Sequence, residues 1–283
     1  MTLYLLPEVC NQTGSCVSGL LQAASQDMAV CLDGTPGGYY FRPAPANSSG
    51  STKWYIHHQG GGWCTSMSDC YARSQTALGS SSGYGPTMEV NGDYFSTSPA
   101  VNPMMYNWNS VYLQYCDGAS FSGSNSTVSN YDGHNLYFRG AHVLTAMIND
   151  LLENRVGLDV ATDVVISGCS AGTFGRLIVC SGGLSTFLHL DEWRAAIPTS
   201  ARVVGMPDSG FFLDYQTQEA YETDLQWVFY QQNASSGVDQ DCIADWTPKG
   251  QPWKCIFAQY TSHHINTPIF PLQVRALFDH FSV

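Results

Sequence analysis

The sequence predicts an α/β fold: a mostly parallel sheet with helices on both faces, in a single domain over residues 1–283. Three observations carry this reading. Short β-branched or aromatic runs alternate with helix-compatible segments, and several runs are apolar throughout, as strands buried on both faces are. One long segment has clear helical periodicity. No Pro-, Gly- or charge-rich stretch stands out as an interdomain linker, and no repeat of solenoid period occurs.

In chain order, "LDGTPGGYYF" opens on a turn and "RPAPANSSGST" is an exposed connection rich in Pro and Ser. "KWYIHHQ" is strand-like and runs into three glycines. "SSSGYGPTMEVNGDYFSTSPAVNP" reads as a long loop, "SVYLQYC" as a second strand and "DGASFSGSNST" as loop again. "GAHVLTAMINDLLENRVG" is the clearest helix, with Val143, Leu144, Met147, Ile148, Leu151 and Leu152 on one stripe. "DVVISGC" is the next strand, followed by a helix over "AGTFGRLIVCS". A further strand lies at Val203 and Val204, and "TPIFPLQVRALFDH" reads as a last buried strand leading to a loop at Asp279.

Composition narrows the function classes. Hydrophobic residues make up 44%, enough for a substantial core, while charged residues are only 12%, about half the usual share. The net charge is −12 and the isoelectric point about 4.8. That balance excludes the basic footprint that nucleic acid or an anionic membrane surface requires. Ten cysteines and four glycosylation sequons, at Asn11, Asn47, Asn125 and Asn233, predict an oxidising, secretory route. Two close pairs, Cys64 with Cys70 and Cys242 with Cys255, are the best candidate disulfides. No segment approaches the ~20 apolar residues of a membrane-spanning helix. The N-terminus lacks the basic start and apolar length of a signal peptide, so the natural N-terminus is expected to lie upstream.

The chemistry centres on Gly168-Cys169-Ser170-Ala171-Gly172, a G-x-S-x-G sequence between a strand and a helix-compatible segment. This is the setting of a nucleophile elbow, where a sharp turn leaves no room for side chains beside the serine. The rival role for Ser170 is that of a helix cap. An elbow needs an oxyanion hole, supplied by the N–H after the nucleophile, here Ala171, and by a Gly-rich loop after an earlier strand. Gly60, Gly61 and Gly62 fit that loop. A triad also needs an acid and then a histidine. Asp279, after the last strand-like run, is the candidate acid, with Asp208 and Asp214 as competitors. His280 adjoins Asp279 too closely to bridge it to Ser170. The pairs His57-His58 and His263-His264 diverge if extended, and His134, His142 and His189 have no supporting context. No metal-ligand spacing occurs, so neither a metal nor a cofactor is expected.

Seven motifs in order, "AVCLDGTPGGYYF", "HHQGGGWC", "YNWNSVYLQYCDGASFSG", "LYFRGAHV", "ISGCSAG", "PDSGFFLD" and "INTPIFPLQ", resemble the pectin acetylesterase family, in a superfamily shared with the Notum carboxylesterases. The resemblance covers about Cys31 to Asp279 and implies an α/β-hydrolase-like fold. It implies Ser170 as nucleophile, Asp279 as acid, and Gly61 (with Gly60 adjacent) and Ala171 as oxyanion donors. Trp63, Asp117, Asp208, Phe211 and Phe212 become candidates to line the substrate cleft. The family's histidine lies beyond the acid, near a further cysteine, and is expected outside residues 1–283. Gln59 stands where the family usually has glutamate, Thr173 replaces a frequent glycine, and the spacing before Asp279 is long. The function implied is that of a secreted or cell-wall serine carboxylesterase, a monomer, that releases acetate from acetylated polysaccharide such as pectin. Two rivals accompany it. One is a Notum-like lipid carboxylesterase, with Trp63, Phe211 and Phe212 around an acyl pocket. The other is an inactive fragment that binds carbohydrate without the histidine.

Overall fold

The apolar runs "KWYIHH", "NSVYL", "DVVISGC" and "RVVGMPD" form neighbouring parallel strands, and burial on both faces explains why most of them do not alternate. The computed structural model describes residues 1–5, 8–10, 16–18, 28–89, 93–153, 157–169, 182–214 and 219–273. Its strands are β1 (Thr2–Leu5), β2 (Glu8–Cys10), β3 (Cys16–Ser18), β4 (Gly38–Arg42) and β5 (Lys53–His58). They continue with β6 (Asn109–Leu113), β7 (Ser129–Tyr131), β8 (His134–Leu136), β9 (Asp163–Cys169) and β10 (Arg202–Asp208). The helices are α1 (Met67–Ser74), α2 (Gly140–Leu152), α3 (Gly182–Ala196), α4 (Glu219–Gln231), α5 (Gln240–Trp246) and α6 (Ala258–Thr261).

Six strands form one sheet in the order β1-β4-β6-β5-β9-β10. β6, β5, β9 and β10 are parallel, while β4 runs antiparallel to β6 and β1 antiparallel to β4. The pairs β2–β3 and β7–β8 make two separate ribbons. The connection from β5 leads to β6 on one side, and that from β9 leads to β10 on the other. The strand order therefore reverses between β5 and β9, and an open α/β sheet leaves its crevice at the carboxyl ends of two such strands.

Helix α2 delivers Val143, Leu144, Met147, Ile148 and Leu151 to the main core, against Trp54, Ile56, Val111, Leu113, Val164 and Ile166 of the sheet. Its one buried acid, Asp150, accepts a hydrogen bond from the Tyr39 hydroxyl at 2.7 Å. Helix α3 packs over β9 and β10. It is buried from Gly182 to Leu190 with no polar face, so no helical period marks it in the sequence. Its start is wedged against the strand ends. A Cβ on Gly182 would overlap the His58 carbonyl oxygen, and one on Gly168 would overlap the Gly182 backbone.

Three disulfides are present among the described residues. Cys64–Cys70 and Cys242–Cys255 match the pairs expected from sequence, and Cys31–Cys116 ties the turn before β4 to the loop after β6. One expectation is corrected. The segment after Thr267 is not a buried strand: it meets β10 through two isolated parallel bridges, Gly205 to Ile269 and Asp208 to Leu272, and Phe270 is 67% exposed. Pro268 and Pro271 lack the N–H groups that a continuous ladder needs. No helix among the described residues is long and apolar enough to cross a membrane.

The wedge at α3 gives a direct test. Gly182→Ala is expected to cost roughly 1–3 kcal/mol or more through overpacking, read as a lower urea midpoint by circular dichroism. An unchanged midpoint would contradict the close approach.

Candidate active site

The carboxyl ends of β5 and β9 lie side by side, with His58 in register with Gly168, and Cys169 is the last described residue before the elbow serine. Ser170, Ala171 and the elbow helix lie outside the described residues, as does Asp279. The structure does describe the partner loop. After His58 the chain leaves the sheet through Gln59, Gly60, Gly61 and Gly62. The Gln59 N–H donates to the Leu113 carbonyl at 3.0 Å, and its side-chain oxygen accepts from the Tyr115 N–H at 2.9 Å. These bonds fasten the loop to the end of β6.

Beyond Gln59 the hydrogen bonding is one-sided. Arg73 of α1 donates from Nη1 to the Gly61 carbonyl at 3.0 Å, and Tyr115 donates its hydroxyl proton to the Gly62 carbonyl at 2.7 Å. The N–H groups of Gly60, Gly61, Gly62 and Trp63 donate to no acceptor among the described residues. Bonding resumes at Cys64, whose N–H reaches the Gly118 carbonyl at 3.1 Å. Gly62 has a φ of +71°, where glycine alone is unstrained, and a Cβ on Gly61 would strike Leu78. A run of unengaged N–H groups beside an elbow strand is what binds a developing oxyanion.

The expected cleft residues divide. Trp63, Phe211 and Phe212 are half-buried and pack on a second core that includes Leu184, Phe187 and Phe257. Trp63 meets Phe212 edge-on at 5.2 Å and fixes its indole N–H on the Ser120 hydroxyl at 3.0 Å. Asp208 ends β10 in register with Cys169, next to the elbow. Its carboxylate accepts from the Ser209 hydroxyl at 2.8 Å and the Tyr94 hydroxyl at 3.3 Å. Asp214, the other competing acid, accepts from the Tyr260 hydroxyl at 2.7 Å. Asp117 differs from these: it is 1% exposed. The tight turn after β6 folds it inward, so that one oxygen accepts from the Phe121 N–H at 3.2 Å and the other packs on the α-carbon side of Gly140.

The interior histidines are all engaged. Trp193 donates its indole N–H to His58 Nε2 at 3.0 Å, which puts the ring proton on Nδ1, facing the Ser185 hydroxyl at 2.6 Å. Ser167 donates to the Met206 carbonyl and accepts from Tyr55, so His57 Nδ1–H in turn donates to Tyr55 at 3.0 Å. His189 has Glu192 on one nitrogen and the Ser120 carbonyl on the other. His58 and His189 thus have both ring nitrogens bonded and His57 has its Nδ1 bonded. No group of three or more His, Cys, Asp or Glu side chains could hold a metal ion among the described residues.

Sequence reasoning missed Arg73 and Tyr115. Neither belongs to a motif with known chemistry, and both act on backbone carbonyls that only folding brings near. The sole hint was the scarcity of cations, with 11 Lys and Arg in 283 residues.

Burial sets the charge states. It pushes His57 down to about 4 and His58 well below the ordinary histidine value, and it pushes Asp117 up to about 6 against the Phe121 amide and the Arg73 charge. The histidines' contribution to stability is present above about pH 6.5 and is lost as pH falls toward 4, because the unfolded chain protonates first. Asp117 acts oppositely: its contribution is present below about pH 4 and is lost as pH rises through 6. Two groups outweigh one. Urea unfolding should therefore show stability falling from pH 7 to pH 5, and falling more steeply in Asp117→Asn. A shallower slope in that variant would contradict the raised Asp117 value.

A family model described as Pectinacetylesterase matches residues 10–283. The chain is 36% identical to Pectin acetylesterase 5 of Arabidopsis thaliana, over 89% of this chain and 55% of that relative. It is 33% identical to Pectin acetylesterase 7 of the same plant, over 100% of this chain and 67% of the relative. The Palmitoleoyl-protein carboxylesterase NOTUM of Schmidtea mediterranea is 28% identical, over 88% and 46%. The chain thus spans about half to two thirds of the length of these relatives. With its glycine loop and strand ends arranged as above and the family model matched to Val283, the chain belongs to the pectinacetylesterase family.

Proposed function

We propose that this chain carries the nucleophile and oxyanion loop of a serine carboxylesterase that removes O-acetyl groups from pectin in the extracellular wall. One observation carries the reading: four backbone N–H groups, Gly60 to Trp63, which find no acceptor among the described residues, follow the strand that lies parallel to the strand feeding Ser170. Family membership supplies the chemistry to match. Ser170 attacks the acetyl carbonyl, and the N–H groups of the glycine loop and of Ala171 hold the oxyanion as the carbonyl π bond becomes a lone pair. A histidine takes the serine proton and returns it to the departing sugar hydroxyl. Water then attacks the acetyl-serine and acetate leaves.

Asp279 orients that histidine in this reading. The segment through Ile269 and Leu272, which precedes Asp279 in the chain, runs parallel to β10. The family resemblance puts the histidine beyond the acid, in keeping with the engagement of His57, His58 and His189. Three disulfides suit an extracellular setting. The single-domain organisation, the monomeric state and the independence from any cofactor belong to the same reading.

The test uses the full-length gene product with p-nitrophenyl esters and acetylated pectin. Acetate should be released from pectin, and the acetyl ester should outpace the octanoyl ester. Preference for the long chain would instead favour a lipid carboxylesterase. Ser170→Ala should lower kcat by about 10³-fold or more, and near-normal turnover would reject Ser170. Asp279→Asn should cost roughly 10²–10⁴-fold and Asp208→Asn much less. The reverse order would move the acid to Asp208.

A further inference from the structure

Arg73 lies outside every motif of the proposed reaction, yet its guanidinium sits directly behind the glycine loop. We propose that Arg73 is a positioning residue of the esterase, which holds the Gly61 carbonyl so that the loop's N–H groups stay aligned for the oxyanion. The inference rests on the esterase reading above.

A trans peptide is planar, so a carbonyl and the N–H that follows it point in opposite directions. With the Gly61 carbonyl held by Arg73 Nη1 at 3.0 Å, the Gly62 N–H is turned away from α1. With the Gly62 carbonyl held by the Tyr115 hydroxyl at 2.7 Å, the Trp63 N–H is turned away from Tyr115. The two latches form one unit, because the Arg73 guanidinium lies 5.0 Å from the Tyr115 ring centre. Tyr115 is itself fixed, accepting the Ser120 N–H at 3.0 Å.

The loop needs such latches. Three consecutive glycines have little conformational preference of their own, and an oxyanion hole is effective only when its donors are fixed before charge develops. Arg73 has the rigidity for the task. Its Nε is tied to the Leu78 carbonyl at 3.1 Å, and the Cys64–Cys70 disulfide joins α1 to the loop it serves. Two features fit catalysis better than simple stabilisation. Nη2 is buried without a hydrogen-bond partner among the described residues, a cost that packing alone does not offset. No carboxylate forms a salt bridge with Arg73 among the described residues, although its charge also acts on the buried Asp117.

The test compares Arg73→Met, Arg73→Lys and Tyr115→Phe in the full-length gene product, with Arg194→Met as a control. Arg194 also donates to three backbone carbonyls, those of Ala201, Ile197 and Pro198, but at the far end of α3. Arg73→Met is expected to lower kcat by about 10–100-fold with KM within about two-fold. The rate at which a fluorophosphonate labels Ser170 should fall by a similar factor. Arg73→Lys should recover part of the loss, since an ammonium can reach one carbonyl but cannot span both. Arg194→Met should lower Tm and leave kcat unchanged. An Arg73→Met protein with a lowered Tm but kcat and labelling within about two-fold of wild type would overturn the proposal. If Arg73→Met does not fold, unchanged kcat in both Arg73→Lys and Tyr115→Phe would overturn it equally. A wild-type protein that neither hydrolyses esters nor takes the label would defeat the esterase reading itself, a result distinct from an active enzyme indifferent to Arg73.

Discussion

The parallel register of β5 against β9 is the constraint on which the site depends. His58 pairs with Gly168, so the glycine loop and the elbow leave the sheet from the same level. A slip by one residue would turn every side chain of β5 to the opposite face, burying Lys53 and undoing the histidine contacts. Two devices hold the register at its critical end. Gly168 and Gly182 let α3 press on the strand termini, and Trp193 and Ser185 of that helix grip His58 from both ring nitrogens. The buried histidine thus joins β5 to α3, and burial keeps it neutral for that purpose.

Polar residues with no part in acyl transfer set the shape of the carboxyl edge. Gln59 ties the loop to β6, Tyr115 spans from Gly62 to Ser120, and Ser120 in turn receives the Trp63 indole. The bonds to the Tyr115 N–H, the Gly62 carbonyl and the Ser120 N–H each satisfy a backbone group, and leaving one unmade would cost about 1–3 kcal/mol. The N–H groups left without an acceptor among the described residues, from Gly60 to Trp63, stand out against this thrift. That contrast gives the site its chemical meaning.

The sheet was legible because its central strands carry β-branched and aromatic runs and α2 carries a stripe of period 3.6. The elbow and glycine loop were legible because they need glycine at fixed positions. Helix α3 was not, since burial on all sides erases the periodicity that reveals a helix. The last segment misled for a related reason: Ile269, Phe270 and Leu272 look like a core strand, but Pro268 and Pro271 confine them to an exposed edge. The burial of Asp117 was not legible, because a motif assigns a residue to a loop without saying which way the loop turns. The carbonyl contacts of Arg73 and Tyr115 join positions 12 and 53 residues apart, and no spacing rule encodes them.

Gln59 brings these strands of argument together. The family's usual residue at this position is glutamate, yet the partner here is the Tyr115 N–H, which asks only for an acceptor oxygen. An amide meets that need as well as a carboxylate does. It also differs in charge, next to a loop whose proposed task is to stabilise an anion. A carboxylate there would repel the developing oxyanion unless a nearby cation compensated it. Gln59 is neutral and Asp117 is shifted toward its neutral form, while Arg73 places a positive charge on the Gly61 carbonyl of the loop. The substitution therefore leaves the loop's hydrogen bonding intact while biasing its electrostatics toward binding negative charge.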